Sequence, residues 1–189
     1  MASSFFGRWF GAQKKEPVSE NNENIENLET LQSRAERGDA AAQFGLGFKF
    51  ANEGATPDYV QAAHWYLKAA EQSHRLAQFN LGMMHEKGQG MPQDMAKAME
   101  WISAAANLGD AGAQHRLGLK HHRASYGVPA EPATRSRIEA YKWLHLATAQ
   151  GYNGSEVARG FVSLNMTIDD VSESVRQAAA FVPGNAASD

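Results

Sequence analysis

The chain has 189 residues, with 18 basic and 21 acidic side chains and a net charge of −3. There is no positive excess of the kind that general nucleic-acid binding needs, so we expect no nucleic-acid partner. The absence of cysteine excludes disulfides and thiolate zinc sites, and it agrees with a reducing compartment. No run approaches the ~18 apolar residues of a membrane span. We therefore expect a cytoplasmic protein with one domain and short tails.

The amino-terminal segment, residues 1–23, combines an aromatic cluster with an acidic, asparagine-rich linker that we expect to be flexible. Four large aromatic residues share one face of a short helix: Phe5, Phe6, Trp9 and Phe10. Arg8 interrupts this stretch, which a signal peptide would keep apolar. We expect residues 4–15 to dock on an anionic membrane or in a partner's hydrophobic cleft. The alternative is that they pack back onto the rest of the chain.

The folded part is predicted to span residues 24–182. It begins with a capping helix, because four apolar residues share one helical face: Ile25, Leu28, Leu31 and Ala35. A block reading A-Q-x-x-L-G-x-x-(aromatic or His) then starts at Ala42, Ala77 and Ala113, at spacings of 35 and 36 residues. Such a period predicts a stacked array of two-helix units.

A second block in each unit carries a tryptophan, and these are Trp65, Trp101 and Trp143. We expect all three to be largely buried as apolar anchors between the helices of a unit. The units are predicted at about residues 35–70, 71–106 and 107–149. Aspartates at the joints and loops, such as Asp94, are predicted helix N-caps. The third unit is six residues longer between its two blocks, and we expect most of that length in its second helix.

The end of the chain is predicted to be a partial fourth unit and a capping helix, residues 150–182. Thr167-Ile168-Asp169-Asp170 indicates a capping-box start. Pro183-Gly184 stops the final helix, and the tail 183–189 is expected to be disordered.

These motifs resemble the Sel-one-like repeat family, a relative of the tetratricopeptide repeats. The second unit matches most closely, at Ala77, Gln78, Leu81, Gly82, Gly88, Gly90, Asp94, Lys97, Ala98, Trp101, Ala105, Ala106 and Gly109. Departures are Phe50, His85 and His121 at the family's tyrosine, Ser73-His74 at one Gly-Asp joint, and Arg159-Gly160 at the last Leu-Gly. The resemblance implies an all-α solenoid of antiparallel hairpins, in a right-handed superhelix with a concave groove.

The resemblance also implies that first helices line the groove, so the variable positions on them are our candidate partner-binding residues: Lys49, Asn80, Met84, His115, Arg116 and Lys120. The alternative is that these positions are simply solvated. The seven histidines do not form a metal motif; His121 and His122, for example, point about 100° apart on a helix. We therefore expect no metal, no cofactor and no catalytic residues.

Members of this family commonly act as adaptors or scaffolds. Some cysteine-rich bacterial members have been described as β-lactamases, but this chain has neither their cysteines nor a Ser-x-x-Lys motif. The sequence predicts a non-enzymatic module, bacterial and cytoplasmic, that binds a protein or peptide. The alternative is a membrane-peripheral adaptor anchored through its amino terminus, and a metal-binding or hydrolytic enzyme is the least favoured reading.

Overall fold

The computed structural model describes residues 30–54 and 56–184, and this part of the chain consists of helices and turns without a strand. Residues 30–36 are the described part of helix α1. Complete helices follow: α2 (Ala40–Asn52), α3 (Tyr59–Glu71), α4 (Arg75–Lys87), α5 (Met95–Asn107), α6 (Ala111–Ala124), α7 (Ala130–Ala149), α8 (Ser155–Ser163) and α9 (Ile168–Ala179). The predicted all-α repeat fold is confirmed. The aromatic amino terminus, the linker, the capping positions Ile25 and Leu28, and residues 185–189 lie outside the described residues.

Three antiparallel hairpins form the array: α2 with α3, α4 with α5, and α6 with α7. Each hairpin is tight because a glycine on its first helix lies against its second helix. A Cβ added at Gly47 would lie 2.6 Å from the Tyr66 ring, and one added at Gly82 would lie 2.8 Å from Ile102 Cγ1. At Gly118 the distance to Leu144 Cγ would be 2.6 Å. Only glycine therefore permits this helix separation.

Repeated glutamines join neighbouring units. Each side-chain amide donates to a backbone carbonyl eight residues earlier, at the end of the preceding second helix: Gln43 to Ala35 at 3.0 Å, Gln78 to Ala70 at 3.1 Å, and Gln114 to Ala106 at 3.3 Å. All three glutamines are buried. Each of these carbonyls also accepts a backbone N–H from the turn that follows, so the glutamine occupies its second acceptor position. The same polar joint thus fixes each unit against the one before it.

Helix starts follow the predicted capping. Asp39, Asp58, Asp94 and Asp110 each accept a hydrogen bond from a backbone N–H in the first turn that follows. The predicted capping box is present between Thr167 and Asp170. At the joint where Ser73-His74 replaces Gly-Asp, His74 is the N-cap of α4, and its Nδ1 accepts a hydrogen bond from Ala77 N at 3.3 Å. The polar cap is therefore kept even where aspartate is lost.

The tryptophans differ in burial. Trp65 and Trp143 are 8% and 6% exposed, as expected. Trp101 is only partly buried, and an open groove runs between α3 and α5 beside it. The extra length of the third unit lies in α7, which has 20 residues against 13 in α5.

The carboxyl-terminal helices do not form a fourth hairpin. Helix α8 packs on α7, and α9 returns to pack on α7 as well. At Gly160, which corresponds to the hairpin glycines, an added Cβ would meet nothing within 4 Å. Arg159 replaces the preceding leucine and donates to His145 Nδ1 at 3.1 Å. Arg159 therefore places a cation where the three units have a buried leucine.

Candidate functional site

The first helices of the three units, α2, α4 and α6, share one face that carries a row of apolar side chains. The members of the row are Phe48, Met83 and Leu119, and each directly follows a hairpin glycine. Phe48 is 51% exposed and Leu119 is 37% exposed. On a helix the next residue points about 100° away, so the glycine faces its hairpin partner while the following side chain faces outward. We call this surface the first-helix face.

A depression lies on this face between α2 and α4, with Tyr66 as part of its floor and Phe48, Asn80 and Met83 on its walls. Burial raises the pKa of Tyr66 to about 12, against a smaller opposite effect from its hydrogen bond with Asn80. The phenol is therefore a neutral hydrogen-bonding group at any physiological pH. This depression offers mixed apolar and amide contacts.

A second depression lies between α4 and α6. The Arg116 guanidinium donates to the Glu86 carboxylate at 2.5 Å and so links the two helices. Deeper in the depression, His115 Nδ1 and Ser155 Oγ share a hydrogen bond of 2.9 Å. Burial lowers the pKa of His115, and the charge of Arg116 acts in the same direction. A neutral imidazole held to a serine resembles part of a catalytic site, but Ser155 is fully buried and is the first residue of α8, so we assign the pair to packing.

Three exposed cations border the two depressions: Lys87, Lys120 and Arg123. Within the part of the chain that the structure describes, no carboxylate lies in ion-pair range of any of them. Arg116 is neutralised by Glu86. The first-helix face is therefore locally positive, although the chain as a whole carries −3.

The six predicted groove residues do not all lie together in the structure. His115, Arg116 and Lys120 line the second depression, and Asn80 lines the first. Met84 also borders the first depression, but it is 5% exposed and packs in the core with Tyr66 and Leu81, so it offers a partner little surface.

Lys49 lines the groove beside Trp65 instead, where its ammonium group is 3.1 Å from the Glu53 carboxylate. The structure therefore does not bring Lys49 together with the other predicted residues.

Sequence reasoning missed the apolar row as well as Lys87 and Arg123. A signal for the row was available, since the residue after the repeat glycine is large and apolar in all three units. The cations occupy the position four residues further along, where the first unit has Asn52. One helical turn separates the two positions, so they fall on the same face.

A different surface holds two grooves that correspond by repeat position. The Trp65 groove, of about 480 Å³, is lined by Leu46, Phe50 and Trp65, with Gln32 of α1 and the α2–α3 loop around it. The Trp101 groove, of about 590 Å³, is lined by Leu81, His85 and Trp101, with α3 as its wall. Both grooves are mainly apolar.

The histidines are dispersed. Among the described residues, no group of three or more histidine, aspartate or glutamate side chains is placed to hold a metal ion. Burial lowers the pKa of His85 and of His121, which stand at the family's tyrosine position. Within the same residues, none of the helices combines the length and the hydropathy that a bilayer crossing requires.

Comparison with known proteins identifies the repeat. The Sel1 repeat family matches residues 40–74, 75–110 and 111–152, which together make up more than half of the chain. The matched units begin at the helix-capping joints described above. The chain belongs to the Sel1 repeat family, whose repeats are protein-interaction modules.

Two solved structures share the fold. One is a protective antigen of uropathogenic Escherichia coli, c5321, with an SLR fold; it has 26% sequence identity and a TM-score of 0.68, over 89% of this chain and 35% of that one. The other is a Sel1 repeat protein from Oxalobacter formigenes, with 30% identity and a TM-score of 0.59, over 71% of this chain and 97% of that one.

Two curated relatives are similar over a single repeat. They are the ERAD-associated E3 ubiquitin-protein ligase components HRD3A and HRD3B of Arabidopsis thaliana, 54% and 51% identical over 39 residues. That stretch is 21% of this chain and only 6% of either relative. The matched stretch is about the length of one repeat, so the chain spans only a small part of either relative.

Proposed function

We propose that this chain is a non-enzymatic adaptor or scaffold whose first-helix face binds a protein segment carrying apolar and acidic side chains. The observation that carries the proposal is the row of Phe48, Met83 and Leu119 beside three cations that have no ion-pair partner among the described residues. Large apolar groups that recur once per unit are suited to anchor a segment lying across the units.

The two kinds of contact have different roles. Burying an exposed apolar side chain against a partner supplies most of the affinity, at ~25 cal/mol per Å² of area removed from water. The cations Lys87, Lys120 and Arg123 attract an acidic segment and raise its association rate. They also disfavour basic segments, so they contribute specificity.

The relatives agree with an assembly role. HRD3A and HRD3B are components of a ubiquitin ligase, and a shared repeat is consistent with a module that holds other proteins. Which assembly this chain joins is not implied by a match to 6% of those relatives.

The proposal is tested with two charge-reversed variants of equal charge. In the first, Lys87, Lys120 and Arg123 are changed to glutamate. In the control, Lys68, Lys97 and Arg135, exposed cations on the second helices, are changed to glutamate. Both are measured against a library of synthetic acidic peptides with apolar residues, and by quantitative capture of partners from the native cell.

We expect the first variant to lose peptide binding and to lose the partners that the wild type retains, while the control keeps both. The binding of the wild type should weaken as salt is raised, because the attraction is screened. Equal binding by the two variants, with intact helical circular dichroism, contradicts the proposal.

Peripheral membrane contact through Phe5, Phe6, Trp9 and Phe10 stays a prediction, because these aromatic residues lie outside the described part of the chain. A cytoplasmic location also stays a prediction. Flotation of the full chain with anionic and with neutral liposomes measures the membrane contact directly.

A further inference from the structure

The grooves beside the repeat tryptophans are open at two units and covered at the third. Beside Trp143, residues 181–184 turn back over the joint between α5 and α6. The Phe181 ring meets the Trp143 indole edge to face, with centroids 5.5 Å apart and planes at 74°. Gly184 N then donates to Asn107 O at 2.9 Å, and Pro183 lies against Gly109.

This contact shows that a repeat tryptophan can pack against an aromatic side chain from a distant segment of the chain. Phe181 packs with a cluster that includes Ile102, Ala106 and Trp143, and Trp143 is left 6% exposed. An aromatic side chain on a terminal segment of this chain therefore completes the apolar surface at the third unit. Edge-to-face aromatic pairs of this kind add to the gain from area burial.

The Trp65 groove is the corresponding surface at the other end of the array, and it adjoins the point where the described chain begins. Gln32 of α1 is part of its lining, two residues after the first described residue. At about 480 Å³ it has room for at least one large aromatic side chain. The carboxylates of Glu53 and Asp58 stand at its margin, beside Lys49.

We propose that the aromatic cluster Phe5, Phe6, Trp9 and Phe10 docks in the Trp65 groove of its own chain. Phe10 and residue 30 are 20 positions apart, and such a tether can extend to ~66 Å. Arg8, Lys14 and Lys15 next to the cluster are opposite in sign to Asp58 at the margin of the groove, whereas Glu53 there is paired with Lys49. An aromatic side chain then packs beside the repeat tryptophan at the first unit, as Phe181 does at the third.

Docking in this groove withdraws the aromatic cluster from other surfaces. A membrane or a partner has to compete with the Trp65 groove for the same side chains. The groove lies apart from the first-helix face, so failure of this inference would leave the proposed function unaffected.

The test uses the lack of natural cysteine. In the full chain, Gln13→Cys places a thiol just after the aromatic cluster, and Gln61→Cys places one on the margin of the Trp65 groove. The matched partner for Gln61 is Lys97→Cys, since both residues occupy the third position of a second helix, and both line a tryptophan groove. Disulfide formation within one chain is followed at low protein concentration.

A tether alone brings the two thiols together at an effective concentration on the order of millimolar. The control for this effect keeps the tether and changes Phe5, Phe6, Trp9 and Phe10 to serine. We expect the Gln13→Cys, Gln61→Cys pair to close roughly tenfold faster than the same pair in the serine variant, because docking raises the local concentration. We also expect it to close faster than the pair with Lys97→Cys.

Three results overturn the proposal. These are equal closure rates with and without the aromatic residues, faster closure to position 97 than to position 61, and disulfides that form between two chains. Circular dichroism of each variant establishes that the array is folded in every comparison.

Discussion

The side-chain amide of Gln72 donates to the side-chain oxygen of Gln43 at 2.7 Å. Gln43 in turn donates to Ala35 O, so the pair ties the end of a unit's second helix to its first helix and to the unit before. Gln150 and Gln114 repeat this bond in the third unit at 2.8 Å. Since Gln114 also donates to Ala106 O, the two units have the same three-residue chain of hydrogen bonds.

The second unit lacks the last member of this chain. The C-cap of α5 is Leu108, whereas the C-caps of α3 and α7 are Gln72 and Gln150. As a result, the Oε1 atom of Gln78 is buried and accepts no hydrogen bond from any described residue. A buried acceptor without a donor costs ~1–3 kcal/mol.

Leu108→Gln should therefore supply the missing donor. Because the change also removes a partly buried leucine, we compare it in two backgrounds, with Gln78 and with Gln78→Ala. We expect Leu108→Gln to be more favourable by about 1 kcal/mol when Gln78 is present. Urea unfolding of the four proteins measures the difference. A coupling energy near zero would show that the two side chains do not meet.

Two glycines at corresponding positions should respond oppositely to alanine. Gly118→Ala places a Cβ 2.6 Å from Leu144 Cγ and 3.1 Å from Ala140 O, so we expect a loss of about 1–3 kcal/mol in unfolding free energy. Gly160→Ala meets open space within α8, and it should gain about 0.5–1 kcal/mol from helix propensity. Chemical denaturation of both variants gives the two signs. A destabilising Gly160→Ala would mean that α8 has a hairpin partner in solution.

The array could be predicted from the sequence because its determinants are local. Glycine, aspartate and tryptophan recur at fixed offsets, and each acts through its own helix or the next one. The end of the array was less predictable, since it depends on how α8 and α9 pack against α7, and α9 is distant from α7 in the sequence. Arg159 signals that α8 lacks a normal core position, but only the structure shows α9 returning to α7.

The candidate site was predicted less completely than the fold. Position within the motif does not fix which side of a first helix faces the partner surface. Lys49, Met84 and Lys120 occupy one motif position, yet Met84 is buried and Lys120 is exposed. The neighbours from adjacent units decide between these outcomes, and those neighbours differ from unit to unit.

Replacing Ser73 with glycine should stabilise the folded protein. It is in the left-handed region at φ 61°, where the other three joints have Gly38, Gly109 and Gly151. A side chain in this conformation costs ~1–2 kcal/mol, so Ser73→Gly should raise the unfolding free energy by about 1 kcal/mol. The reverse change, Gly38→Ser, introduces no steric contact within 4 Å of its Cβ and should cost a similar amount. Thermal melts compare the pair, and shifts in the same direction would contradict this account.

Acid should weaken the helix cap at the same joint. The Nδ1 atom of His74 can accept from Ala77 N only when it carries no proton, and the ring stacks on Phe44 with centroids 4.7 Å apart. Burial lowers the pKa of His74 below its ordinary value of 6.5, and the charge of Arg75 acts in the same direction. The folded protein therefore binds this proton less readily than the unfolded chain does. The cap contributes its full stability above pH 6.5 and loses it as the pH falls from 6.5 through the pKa of the folded state.

His74→Asp restores the residue found at the Asp39 and Asp110 joints and caps the helix without a histidine proton. We expect this variant to be at least as stable as the wild type at pH 7.5, and to lose less stability between pH 7.5 and 5.5. A residual decrease should remain, because burial also lowers the pKa of His85, His115, His121, His122 and His145. The measurement is the free energy of unfolding by urea at several pH values in this range. If both proteins lose the same stability, the neutral His74 cap does not contribute to the acid sensitivity of the fold.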